Sequence, residues 1–474
     1  MMSAEEVARE DLLTFLNAAF ASTAQAEFAS TASQQREAMA FLHEYVRGNY
    51  RRLYARLLAA GINDAHAVEI VVGLLSTGRE APEGLRAEED ALLRAAVRRL
   101  PPQRFWRLTA RLRRGRVNNR RSRALVRDYI AQHPDMEFQA VKYRRKVAAA
   151  MRHAHVRPDG ELERFLFGSH DEAFASPLLD AYRRAHFSAS ALDELPYTVA
   201  LGLAARHDLA PEALACRMEA RLTDRERLRL ARRAGEGMVD PSRQSLTELA
   251  SYLLTLPALS PAQATWMPSA ARSVLQRSGP LLIGRGTGRA SGTAAHGPVA
   301  AVLDNSYSSS GSRQKRNRPL AVAWAVDALL REGVRGYRGF WTHPVAAGAV
   351  PRPQGRTNLA ERLLDALDWG AAVVVVVSDG VENDPPGAFH AVLHQARRLV
   401  EGLVVIHLNP VFDPLSLQVR SLSPLAPALG VRNGEDLPAL LGMACHLQPG
   451  LHALAELEDY LARCAHRFLE GADA

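Results

Sequence analysis

Through residues 1–275 the apolar positions recur at helical spacing, and from residue 298 they gather into short unbroken runs. In the first part, Leu42, Tyr45, Tyr50, Leu53 and Leu57 share one face of a helix predicted over 41–58, ending near Gly61. Asn63-Asp64 caps the next helix, which runs to Leu75 and closes at Gly78. Further helices are predicted over 88–100, stopped by Pro101-Pro102, and over 105–112, 122–132, 137–151, 177–184, 196–205, 211–222, 224–234 and 245–256. Many short helices with short turns predict an all-α, HEAT-like helical-repeat domain over 1–275, without a clean repeat of fixed period. A linker is expected over 276–297. Its Gly284-Arg-Gly-Thr-Gly-Arg-Ala-Ser-Gly292 stretch lacks the Gly-Lys-[Ser/Thr] of a phosphate loop, although Arg285 and Arg289 could touch an anion. From 298 to 474, strands over 299–303, 335–342, 372–378 and 402–408 alternate with helices over 319–331, 358–368, 387–400, 436–443 and 451–469. That alternation predicts an α/β domain with a parallel sheet covered on both faces.

Chemistry gathers where the first apolar run stops. Asp304 follows Leu303 directly, and hydroxyls come at alternate positions, Ser306 and Ser308. Open parallel sheets place their ligands at the carboxyl ends of strands. Mg²⁺ takes oxygen ligands in an octahedral shell and keeps several waters, so one carboxylate and two hydroxyls supply half a shell. Thr357, just before a helix, and Asp379, which follows the run 371–377 in Ser-Asp-Gly, are candidates for the rest. Asp-x-Ser-x-Ser, then Thr, then Ser-Asp-Gly resembles the metal-ion-dependent adhesion site of the von Willebrand factor A family. The resemblance covers roughly the last 180 residues and implies a Rossmann-like A domain. Arg313, Lys315, Arg316 and Arg318 follow the hydroxyl turn and either border this crevice or form a solvated loop.

Composition narrows the classes. A chain of 474 residues implies two or three domains, and 47% hydrophobic with 23% charged residues is a globular composition. The longest strongly apolar run, 371–377, is far short of a membrane span. Glu5, Glu6, Glu10 and Asp11 stand where a signal peptide needs bases, so a cytoplasmic location is expected. Cys216, Cys445 and Cys464 form no Cys-x-x-Cys pair, and His390 with His394 lack a third ligand on their helix. The net charge of +8 is unevenly placed: residues 101–150 carry fourteen Lys or Arg against three Asp or Glu. A solvated helix face alternates its signs, so this block points to a polyanionic partner.

The same block reads Ser122-Arg-Ala-Leu-Val-Arg-Asp-Tyr-Ile, then Gln139-Ala-Val-Lys-Tyr-Arg-Arg-Lys, then Met151-Arg-His-Ala-His-Val-Arg-Pro158. It resembles the TROVE module of the Ro autoantigen family, in which a helical-repeat ring precedes an A domain. The resemblance implies binding of small noncoding RNAs such as Y RNAs and of the 3′ ends of misfolded RNAs. It also implies a link to RNA decay or repair, with an exoribonuclease or other protein as partner. The family's Lys-Tyr-x-x-Arg falls on Lys142, Tyr143 and Lys146, with Lys in place of the last Arg and Arg145 as the alternative; its His falls on His155. Arg120, Arg121 and Arg123 join these as expected RNA-binding residues. The segment between the two motifs and the whole helical region are shorter here than in the family. Lys142, Arg145 and Lys146 at i, i+3 and i+4 share a helix face, fit to neutralise phosphates, while Tyr143 and His155 could stack on bases. No Ser/His/Asp or paired-carboxylate arrangement argues for an enzyme. The alternative is a protein-interaction subunit acting with an AAA-type ATPase, and a phosphotransfer or nuclease role for Asp304 and Asp379 stands third.

Overall fold

The computed structural model describes residues 3–27, 29–78, 83–234, 239–279, 281, 297–346, 348–444 and 454–473. Cys445 and most of the expected linker, including Arg285 and Arg289, lie outside them. Among the described residues, no helix is long and apolar enough to cross a membrane.

Helices fill the first part of the chain, and their starts follow capping chemistry. Asn63 accepts bonds from the amides of Ala65 and His66 at the head of Asp64–Ser76, and Ser176 caps Pro177–Arg184 with proline at its first position. The helix predicted over 41–58 is two, Ala32–Asn49 and Arg51–Arg56, because Tyr50 leaves helical geometry at φ −133°, ψ 45°. Gly48 and Asn49, both poor helix formers, precede that break.

From Val299 onward five strands form one parallel sheet: β1 Val299–Leu303, β2 Tyr337–Trp341, β3 Val373–Val377, β4 Val404–Asn409 and β7 Ala428–Gly430. A separate antiparallel hairpin is made by β5 Phe412–Asp413 and β6 Gln418–Val419. The sheet order is β2-β1-β3-β4-β7. Successive crossovers therefore leave β1 in opposite directions, and the switch point lies between β1 and β3. Both of these strands are wholly buried, as continuous Val/Ala runs require.

Compactness divides the chain differently from the expected boundaries. One unit joins Met1–Gly48 to Asp240–Tyr460; the other is Asn49–Val239 with Leu461–Ala474. Expected domains 1–275 and 298–474 thus exchange segments, for physical reasons visible in each unit. In the first, helix Ala4–Ala21 lies against β7, where the Gly430 amide donates to Asn17 Oδ1 (3.1 Å). A Cβ on Gly430 would sit 2.1 Å from the Asn17 carbonyl oxygen, so only glycine allows that approach. Helices Leu246–Leu253 and Trp266–Ser278 pack on helix Arg318–Gly333, and Thr247 donates through its amide and hydroxyl to Glu435. In the second unit the Arg99 guanidinium lies 3.9 Å from the centroid of the Phe468 ring and donates to the Phe468 carbonyl. The last helix therefore does not belong whole to the sheet domain.

Candidate functional site

The crevice at the switch point is built by strand register. Leu303 pairs with Val377, so β1 and β3 end side by side and the Asp304 amide donates to the Val377 carbonyl. Asp304 is only 3% exposed. Its Oδ1 accepts from the Ser306 amide (2.8 Å) and its Oδ2 from the Ser378 hydroxyl (3.1 Å). The hydroxyls of Ser306 and Ser308 stand 3.2 Å apart, and Ser308 also donates to Asp379. Burial and then the Asp379 carboxylate push Asp304 up to about 6, and burial raises Asp379 as well. Thr357 is buried, its amide held by Asn383 Oδ1 (2.9 Å). Glu382 fixes that loop by accepting from Ala360 and Phe389, the heads of two helices. Asn305 ties the hydroxyl turn to β2 through Thr342 and His343.

All five expected ligands thus fall in one crevice, and Ser308, Thr357 and Asp379 line a cavity of about 350 Å³ there. Two carboxylates held together against burial and mutual repulsion, beside three hydroxyls, are an oxygen-only donor set suited to a hard cation. Among the described residues, no cluster of three or more His, Cys, Asp or Glu forms a metal site. Only two of the five residues here belong to those types.

Arg313, Lys315, Arg316 and Arg318 are not in the cavity lining. Arg318 is instead buried, donating to the carbonyls of Pro410, Ala21 and Arg432 and lying 3.6 Å from Glu27. The expectation of a basic border or solvated loop fails at this residue. Sequence reasoning missed Glu27 and Arg420, both in the lining; Arg420 pairs with Asp413 at 2.9 Å.

The second unit holds a groove of about 910 Å³. One wall is helix Met136–Ala154, kinked at Tyr143 (φ −129°, ψ 29°) and started by the Asp135 side chain. Lys142, Tyr143, Arg145 and Lys146 all line the groove from it. Lys142 Nζ sits 5.4 Å from the centroid of the Phe138 ring and Lys146 Nζ 5.8 Å from that of Tyr143. Helix Tyr197–Ala204 forms a second wall through Thr198 and Gly202. A third, helix Asp224–Ala234, brings Arg225 and Arg229, both exposed. Arg144 lines the groove too, but its guanidinium bonds the Phe165 carbonyl and His170.

The other expected contacts lie elsewhere. Arg121 donates to Asp90 (2.7 Å) and Glu89 (2.8 Å), a structural pairing, and lies outside the groove lining with Arg120 and Arg123. His155 is exposed, ends its helix at φ +54°, and is likewise not in that lining. His390 bonds Ser423, and its ring centroid is 6.4 Å from that of His394. Arg225, Arg229 and Tyr182 were missed; only the basic character of 224–234 hinted at the first two.

Taken together, the chain comprises an all-helical unit with a basic groove and a parallel α/β unit with an oxygen-lined crevice at its switch point. No protein-family model matches it, and no curated protein does. Among solved structures it is similar to the RO (RSR) protein of Deinococcus radiodurans, at 14% identity over 92% of this chain and 99% of that one, with a TM-score of 0.41.

Proposed function

We propose that the chain is a Ro-like RNA-binding protein, not an enzyme, that captures small noncoding RNAs of the Y type and misfolded RNAs with single-stranded 3′ ends. The observation that carries this reading is the groove. Lys142, Arg145, Lys146, Arg225 and Arg229 surround one concavity beside Tyr143, cations for a backbone and a ring for a base. In the α/β unit, Asp304, Ser306, Ser308, Thr357 and Asp379 would hold Mg²⁺, which supplies a Lewis-acid contact for a partner's carboxylate. The residues themselves orient the site: Ser378 and the Ser306 amide fix Asp304, and Val381 fixes Asp379 (3.0 Å). An exoribonuclease or another acidic protein surface is the partner proposed there.

The test is a salt titration of a fluorescent RNA with a single-stranded 3′ tail. Log affinity should fall linearly with log salt, at about 0.7 per phosphate for single strands. Changing both Lys142→Ala and Lys146→Ala should lower that slope by about 1.4. Wild-type protein that binds no RNA at low salt overturns the reading. One observation favours the alternative of an interaction subunit working with an ATPase: Tyr307 and Leu415 are exposed near the crevice, an apolar rim around a cation site. Retained partner binding without any RNA affinity would establish it.

A further inference from the structure

Beyond the groove, one feature of the helical unit has no structural use: Phe187, 83% exposed on the turn that ends helix Pro177–Arg184. Apolar residues scattered singly on a surface need no explanation. Phe187, however, is the outer end of a series of rings. Phe165 stacks on His170 (centroids 4.9 Å, planes 10° apart), His170 meets Tyr182 at 6.3 Å, Tyr182 meets His186 at 5.2 Å, and His186 meets Phe187 at 6.5 Å. Tyr182 is also in the groove lining, so the series runs from inside the basic concavity to a bare ring outside it.

The charges at this end differ from one another. Arg183 and Arg184 are bound to Asp180, and Arg184 also to Glu194. Arg206 is exposed and donates to His186 Nδ1 (3.3 Å), while burial and then Arg206 lower the His186 pKa. A neutral imidazole is thereby held in place, with a cation beside it. The turn is rigid: the amides of Phe187 and Ser188 both donate to the Arg184 carbonyl, at 2.9 and 2.8 Å. A flat apolar face on a fixed turn, with an arginine next to it, matches one nucleotide: base on the ring, phosphate on the guanidinium.

We infer that Phe187, with Arg206 beside it, is a stacking platform for an unpaired nucleobase of a strand leaving the groove past Tyr182 and His186. The inference rests on the RNA-binding reading and adds a direction and a residue to it. Phe187 recognises a π-face and so accepts any base, whereas a duplex, whose bases are already stacked, gains nothing from it.

The experiment uses the full chain and single-stranded RNA carrying 2-aminopurine at successive positions, with a blunt duplex as control. Wild-type protein should quench one position specifically. Phe187→Ala should abolish that quenching and weaken single-strand binding by about 5- to 100-fold, the range that roughly 1–3 kcal/mol per stacked base converts to. Duplex affinity, salt slope and thermal midpoint should stay unchanged, and Phe187→Trp should restore binding. Arg206→Ala should lower the salt slope by about 0.7 with quenching retained. If wild type binds RNA but Phe187→Ala binds and quenches like it, the platform is overturned and the groove reading survives. The platform also fails if duplex and single strand weaken together, or if Phe187→Ala loses only a protein partner. A wild type without RNA affinity removes both readings.

Discussion

The crevice and the groove are opposite uses of polar side chains. Around Asp304 both carboxylate oxygens are bonded within the fold, and the neighbouring hydroxyls bond one another or Asp379. Around Lys142 the basic side chains reach an open concavity, with Arg145, Lys146, Arg225 and Arg229 exposed. A buried, pre-bonded site suits one small ion at fixed distances; an exposed cationic one suits a long anion in many registers. Changes at the first should therefore act on stability and on metal response, and changes at the second on affinity and salt dependence.

The largest effect that would sharpen this contrast is at Arg318. It is the buried tie between the Ala21, Pro410 and Arg432 carbonyls and Glu27. Arg318→Ala leaves Glu27 without its charge partner and should cost about 3–5 kcal/mol, read as a lower urea midpoint. Adding Glu27→Gln should recover part of that loss. Equal stability of the single variant and wild type would show the pair to be superficial.

Next in size is the response to metal. Mg²⁺ at a hundred times its dissociation constant should stabilise the wild type by about 2.7 kcal/mol, seen as a shift in thermal midpoint. Asp304→Ala should abolish the shift and leave RNA affinity within twofold. If RNA affinity collapses while the helical unit still melts normally, crevice and groove are one site in function. Smaller again is Arg229→Ala, which removes one phosphate contact from the third wall. Its salt slope should fall by about 0.7 without change in the metal response. An unchanged slope would restrict binding to the Lys142 wall.

The two sites were not equally legible in the sequence. Crevice residues follow unbroken Val/Ala runs within a few positions of a strand end, and parallel pairing leaves one place for them to meet. β1 and β3 therefore put Asp304, Ser306, Ser308 and Asp379 together as expected. The groove depends on helix packing, which periodicity does not encode: Lys142 and Arg229 meet only because three helices turn their faces inward. Domain boundaries failed for a related cause. Helix Ala4–Ala21 has an apolar face like any repeat helix, and nothing local says that it lies on β7, reached through an Asn17–Gly430 bond spanning 413 positions. Strand β7, three residues long, is too short to announce itself. Arg121 shows the same limit at one residue, since its use depends on Glu89 and Asp90 from another helix.

The smallest expected effect concerns His155, where the resemblance and the geometry diverge. By resemblance His155 contacts RNA. In the fold it terminates helix Met136–Ala154 in left-handed geometry, φ +54° and ψ 45°, exposed and outside the groove lining. Glycine is the residue most at ease in that conformation, since an L side chain there crowds the following carbonyl. His155→Gly should therefore stabilise the chain by up to about 1 kcal/mol, measured as a raised urea midpoint at unchanged slope. Its affinity for the single-stranded tail should stay within twofold of wild type, and His155→Ala should likewise bind normally but gain no stability. Loss of single-strand affinity in both variants, with the salt slope constant, would mean that the strand passes the end of this helix. The base-stacking role would then belong to His155 as well as to the groove, and the contrast between a fixed ion site and a confined RNA site would have to widen to include it.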